Sequence, residues 1–171
     1  MRKNRVLKPQ DIVVLGKLVT DEAWPTQKDI ASSLELSQSE ISHSLKTLEQ
    51  VGLVNLNQKK VNKLAAMEFI VHALKFFYPS EKGGIGRGVN VGPSSSHFSK
   101  KVLSDEFNFV WPDPEGDSRG VLISPLLPKL TNSIKENEKL FLFLNVVEIF
   151  RGLGGVRHRQ EAQKVLKEML D

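Results

Sequence analysis

Between Thr26 and Val54 apolar residues recur at helical spacing in two short bursts, separated by a tight polar turn. Ile30, Ala31 and Leu34 make one apolar helix face; Ile41, Leu45 and Leu48 make a second. Thr26 with Asp29, and Ser37 with Glu40, set a hydroxyl and a carboxylate three residues apart at each predicted helix start. At that spacing each side chain can serve the other's backbone N–H. Leu36 fills the turn, and Gly52 stands where a helix-ending glycine is needed. Ala31, with no bulky side chain, lets the two helices approach closely. Upstream, Pro9 suits a first helical turn, and Ile12, Leu15, Leu18 and Val19 predict a helix to about Thr20. Trp24, in the connector 21–25, is expected to pack on the helical core. Downstream, Leu53-Val54-Asn55-Leu56 alternates like a strand, 57–60 forms a tip and Val61 begins the return.

This pattern resembles the winged helix-turn-helix of bacterial transcriptional regulators, in the broad MarR-like sense. The resemblance rests on Thr26, Asp29, Ile30, Ala31, Leu34, Leu36, Ser37, Ile41, Ser42, Leu45, Leu48, Gly52, Leu53 and Val54, and covers roughly residues 8 to 63. It implies sequence-specific DNA binding that regulates transcription, with a homodimer presenting two recognition helices to half-sites about one helical turn apart. The predicted wing is very short and lacks the Asp-Arg pairing familiar in MarR-type wings. Similar modules also serve as protein-interaction domains, so an adaptor or assembly module that binds no DNA is the alternative.

Asn62 can cap a third helix from Lys63 to about Tyr78 that is apolar almost all round, leaving only Glu68, His72 and Lys75 as a narrow polar stripe. Such a surface needs cover from the C-terminal half, a second subunit or both. Phe69, Phe76 and Phe77 are the expected dimer or interdomain anchors. Residues 80–100, rich in Gly and Ser, are expected as a loop or linker. Phe107 to Trp111 has a period-2 aromatic face, and Gly120 to Ser124 could pair back on it as a hairpin across the turn cluster 112–117. Ser133 with Glu136 predicts the start of a helix to Arg151. A last amphipathic helix over 156–170 carries Ala162, Val165, Leu166, Met169 and Leu170 on one face. The expected class is mostly α with small β: an N-terminal winged helix-turn-helix over 1–63, a long apolar connecting or dimerisation helix over 64–79, the loop or linker over 80–100, and a mixed, mainly helical region over 101–171.

Charge sharpens this picture. The 171 residues carry a net +4 with a pI near 9.3. Residues 1–63 hold ten basic against seven acidic side chains, and the remainder fourteen against thirteen, so the excess sits on the predicted DNA-facing module. The lack of cysteine excludes disulfides and thiolate metal sites. No apolar run reaches the length of a membrane span and nothing resembles a signal peptide, so a cytoplasmic protein is expected.

The strongest candidate site is the polar face of the second helix of the pair. Gln38, Ser39, Ser42, His43, Lys46 and Thr47 fall off the apolar face and are expected to meet bases, Gln pairing with adenine and Lys with guanine or phosphate. Arg2, Lys3, Arg5, Lys28, Lys59, Lys60 and Lys63 are the expected phosphate or wing contacts. Arg151, Arg157, His158 and Arg159 flank Gly152–Gly155, and either hold an anion or stand solvated beside an interhelix turn. The glycines from Gly83 to Gly88 fit no phosphate-loop spacing; flexibility or close packing explains them instead. His43, His72, His97 and His158 show no metal-ligand spacing, and Ser94 to Ser96 beside His97 reads as loop before nucleophile. No enzyme, metal or cofactor is expected.

Overall fold

The computed structural model describes residues 6–99, 107–127 and 132–171. Arg2, Lys3 and Arg5 lie outside the described residues. The chain is mostly helical with two small sheets. Helix α1 spans Pro9–Thr20, α2 Gln27–Leu34 and α3 Gln38–Gln50; the strands β1 Val54–Asn55 and β2 Lys60–Val61 follow as an antiparallel hairpin. This is a winged helix-turn-helix with a minimal wing, as the residues predict. Glu35 makes the sharp turn between α2 and α3 in the left-handed region, φ +52°, and Gly52 ends α3 at φ +81°.

Helix α4, Lys63–Glu68, opens on Asn62, whose side chain accepts from the Ala65 N–H. It passes without a break into a π-helical turn, Phe69–Ala73, and then into α5, Leu74–Phe77. The single helix expected there exists, but one wide turn interrupts its ladder. Ala66, Ile70, Val71 and Leu74 are buried against the rest of the chain. Leu64, Phe76 and Phe77 are not: they stand 70%, 75% and 67% exposed. The C-terminal half therefore covers one face of this helix and leaves another bare.

The segment expected as a loop or linker corrects the sequence reading. Lys82–Asn90 is strand β3, followed by a 3-10 turn at Gly92–Ser94 and the short helix α6, Ser96–Ser99. Strand β3 pairs antiparallel with both β4, Phe109–Pro112, and β5, Ser118–Ile123. The expected hairpin of β4 with β5 does not form; they touch only in a short parallel contact, which closes the three strands into a ring. Gly88 marks how closely β3 and β4 approach. A Cβ on Gly88 would lie 1.9 Å from the Trp111 carbonyl oxygen, so only glycine lets the neighbouring strand come this close. Of the alternatives weighed for these glycines, close packing holds at Gly86 and Gly88, whereas a Cβ on Gly84 would meet nothing within 4 Å.

The helix expected from Ser133 to Arg151 is two: α7, Asn132–Glu136, and α8, Glu138–Phe150. Asn137 divides them and caps α8, its side chain accepting from the Leu140 N–H at 3.0 Å. Ser133 lies inside α7 rather than capping it. Helix α9, Val156–Leu170, completes the chain, with Ala162, Val165, Leu166 and Leu170 buried. One hydrophobic cluster runs from Ile12 in α1 to Leu170 in α9. At its centre α1 and α8 are in close contact: a Cβ on Gly16 would lie 2.5 Å from the ring of the fully buried Phe143.

A buried ion pair joins the C-terminal elements. Arg151 reaches the Glu148 carboxylate at 2.6 Å, with both side chains almost wholly inaccessible. Its other N–H groups donate to the carbonyls of Tyr78, Pro79 and Ser124. Glu148 also accepts from the Trp111 indole at 3.2 Å. Burial pushes the Glu148 carboxyl above its ordinary value, while Arg151 and Trp111 pull it down. The expected choice for Arg151, between an anion site and a solvated surface, thus has a third answer: it is a buried internal clamp. Arg157 and Arg159 are exposed and His158 is buried, its Nδ1 accepting from the Gly155 N–H.

Candidate nucleic-acid interface

The two capped helices build this surface from local chemistry. The Thr26 backbone N–H and hydroxyl both donate to the Asp29 carboxylate, at 3.1 and 2.6 Å, and the Asp29 N–H donates back to the hydroxyl. Ser37 and Glu40 repeat the arrangement, with both Ser37 donors at 2.8 Å. Hydrogen bonds from the Thr26 hydroxyl and backbone lower the Asp29 pKa, and those from the Ser37 backbone and hydroxyl lower that of Glu40. Each helix start is fixed, so the polar face of α3 is set at a defined angle to α2.

A second constraint holds α3 from behind. Asp11, buried in the first turn of α1, accepts from the Ser44 hydroxyl at 2.5 Å and from the Lys8 N–H at 2.8 Å. Gln10 donates to the same hydroxyl at 3.4 Å. Asp11 and Ser44 escaped the sequence reading. Their signal was a polar residue at an apolar-face position on each helix, with Ser44 midway between Ile41 and Leu48.

Gln38, Ser39, His43 and Lys46 are exposed along one side of α3, and Ser42 is half-buried beside them. The His43 Nδ1–H donates to the Ser39 carbonyl at 2.7 Å, which holds the ring against its own helix. Thr47 does not belong to this face. It is 5% exposed and its hydroxyl donates to the His43 carbonyl at 2.9 Å, so it serves the helix and cannot meet a base edge.

Lys28, Lys59, Lys60 and Lys63 are exposed. At the wing, the Asn55 side chain accepts from the Gln58 N–H and Lys59 adopts φ +50°, closing a tight tip. The wing is tied to α3 by the Leu56 N–H, which donates to the Glu49 carboxylate at 3.1 Å. Lys63 differs from the other three in already donating to the Asp171 carbonyl at 2.5 Å.

Among the described residues no cluster of His, Asp or Glu could hold a metal ion, and no helix is long and apolar enough to cross a membrane. Residues 26–55 match the family model described as bacterial regulatory protein, arsR family. The match spans both capped helices and β1, and it names the arsR family where the residues pointed to a MarR-like one. No curated protein and no solved structure matches the chain. The N-terminal region is thus similar, over this span, to the helix-turn-helix of a bacterial regulatory protein family.

Proposed function

We propose that this protein is a cytoplasmic, non-enzymatic transcriptional regulator that binds double-stranded DNA as a homodimer, with α3 in the major groove. The observation that carries this reading is the solvent-facing row Gln38, Ser39, His43 and Lys46 on a helix pinned at its start by Ser37 and Glu40 and from behind by Asp11. Its side chains match base-edge donors and acceptors. The match of residues 26–55 to a regulatory protein family supports the same conclusion. Helix α3 carries no arginine, so bidentate guanine contacts are few and affinity leans on phosphates. Lys28, Lys59, Lys60 and the basic arm from Arg2 to Arg5 are the proposed phosphate contacts. Phe69, Phe76 and Phe77 are the proposed anchors between subunits.

The test is a gel shift on sequences selected from a random pool, at several salt concentrations. Changing Gln38 and His43 together to Ala is expected to weaken the selected site by about 1–3 kcal/mol per lost base contact, with the fold unchanged by circular dichroism. Changing Lys59 and Lys60 to Ala is expected to flatten the dependence of log affinity on log salt by about 0.9 for each contact removed. A folded wild type that selects no sequence would turn the reading toward a protein-binding adaptor.

A further inference from the structure

We infer that the apolar groove beside the helix Lys63–Phe77 is filled by the same helix of a second copy of this chain, running antiparallel about a two-fold axis near the level of Val71. The inference rests on the homodimer proposed above and specifies how its two subunits meet.

The groove has a volume of about 500 Å³. One wall is the helix, through Ala65, Glu68, Phe69, Ala73 and Phe77; the other includes Val51 and Leu53 at the end of α3. The helix cannot turn over to hide this side, because Ala66, Ile70 and Leu74 already occupy the core of their own chain.

Four groove residues form one stripe, Ala65, Phe69, Ala73 and Phe77, each four positions from the next. On a regular helix of 3.6 residues per turn, steps of four drift sideways by about 40° each. The wide π turn over Phe69–Ala73 lies at the middle step and takes part of that drift back, keeping the stripe straight. Along the stripe, sizes alternate: small, large, small, large.

A two-fold interface must be complementary to itself, each contact occurring twice with its partners exchanged. Antiparallel pairing centred at Val71 meets that demand. Ala65 faces Phe77 of the second copy and Phe69 faces Ala73, so every ring enters an alanine notch. The polar flank agrees. In such a pair the same flank of both helices meets, which brings the exposed Glu68 carboxylate of one copy alongside the exposed His72 imidazole of the other. Parallel pairing would stack Phe on Phe, leave Ala opposite Ala and put the two polar flanks on opposite sides of the interface, so that Glu68 of one copy meets no His72 of the other. The size pattern and the polar flank therefore select the same direction.

The full chain has no cysteine, so single cysteines report the direction cleanly. In the antiparallel pair two copies of residue 72 lie next to the axis. Two copies of residue 64 lie about 21 Å apart along it, from a rise of 1.5 Å per residue. A short thiol cross-linker is expected to join His72→Cys into covalent dimers and to leave Leu64→Cys monomeric on a denaturing gel. Sedimentation of the wild type at micromolar concentration is expected to show a dimer, and Phe77→Ala to raise its dissociation constant about tenfold or more. In a parallel pair both positions would lie on opposite flanks of the interface, and the short linker would join neither. A dimer cross-linked at neither, or a monomeric wild type, would overturn the inference outright. A gel shift on the same samples keeps the two proposals apart: a monomer that still selects DNA defeats the dimer and its pairing but not the DNA binding, and a dimer that selects none defeats only the DNA reading.

Discussion

The capped pair α2–α3 and the ring β3–β5 are built by opposite means. In the pair, each helix start is secured by residues three positions apart, Thr26 with Asp29 and Ser37 with Glu40. In the ring and around it, the decisive contacts join residues distant in sequence: Gly88 against Trp111, and Arg151 clamped to Tyr78, Pro79 and Ser124. Local hydrogen bonds at exposed helix ends contribute modestly and independently. Buried non-local contacts fail together, because losing one partner leaves the others unsatisfied in a place water cannot reach.

Arg151→Ala is expected to give the largest effect. It leaves the Glu148 carboxylate and three carbonyls without their donor, and breaking one side of a buried pair costs about 3–5 kcal/mol. Urea unfolding followed by circular dichroism measures it; a loss below about 1 kcal/mol would mean that water replaces the guanidinium and the clamp is dispensable. Gly88→Ala comes next. The new methyl would meet a backbone carbonyl that no side-chain rotation can move, at a cost of about 3 kcal/mol or more. A near-neutral Gly88→Ala would show that the ring is looser than its spacing implies. Ser37→Ala, by contrast, removes one helix cap and is expected to cost about 1 kcal/mol in the same assay.

Acid sharpens the contrast further, since the two regions respond to it with opposite signs. Asp29 and Glu40 have folded pKa values below their ordinary 3.8 and 4.5. Their contribution is full above those ordinary values and is lost as pH falls through the lowered ones. Glu148, held above its ordinary 4.5 by burial, acts the other way: its contribution is full below that value and is lost as pH rises through the raised one. Glu40→Gln is expected to flatten the loss of stability on the acid side in a pH series of unfolding midpoints. A series unchanged by the substitution would place the acid-sensitive group elsewhere.

The same division explains how much could be read in advance. Helices α1 to α3, the short wing and α9 were legible because their caps, glycine stop and apolar spacing all lie within a few residues. The ring was not. Gly83, Gly84, Gly86 and Gly88 carry no side-chain pattern, and a strand defined by what its neighbours crowd out looks like a linker when read alone. The division at Asn137 was hidden because residues 132–139 hold a single apolar residue, Ile134, too few to set a period. On α3 the polar face was readable as a whole. Periodicity alone could not show that Thr47 turns its hydroxyl back to the helix, nor that Ser44 is held by an aspartate from α1.

The closed ring also bears on how this chain avoids unwanted company. A three-stranded sheet ordinarily leaves two outer strands with unpaired backbone groups, an open template for strand addition and aggregation. Here β4 and β5 pair with each other as well as with β3, but β3 meets β4 only over Gly88–Asn90, so its largely exposed stretch 82–87 has β5 on one side alone. Along that stretch Gly83, Gly84 and Gly86 offer an added strand no side chains to pack on, and Lys82 and Arg87 put charge at either end. Strand addition there is opposed by charge and by the irregularity between Lys82 and Ile85, whereas on helical surface side-chain shape and charge decide which partner fits.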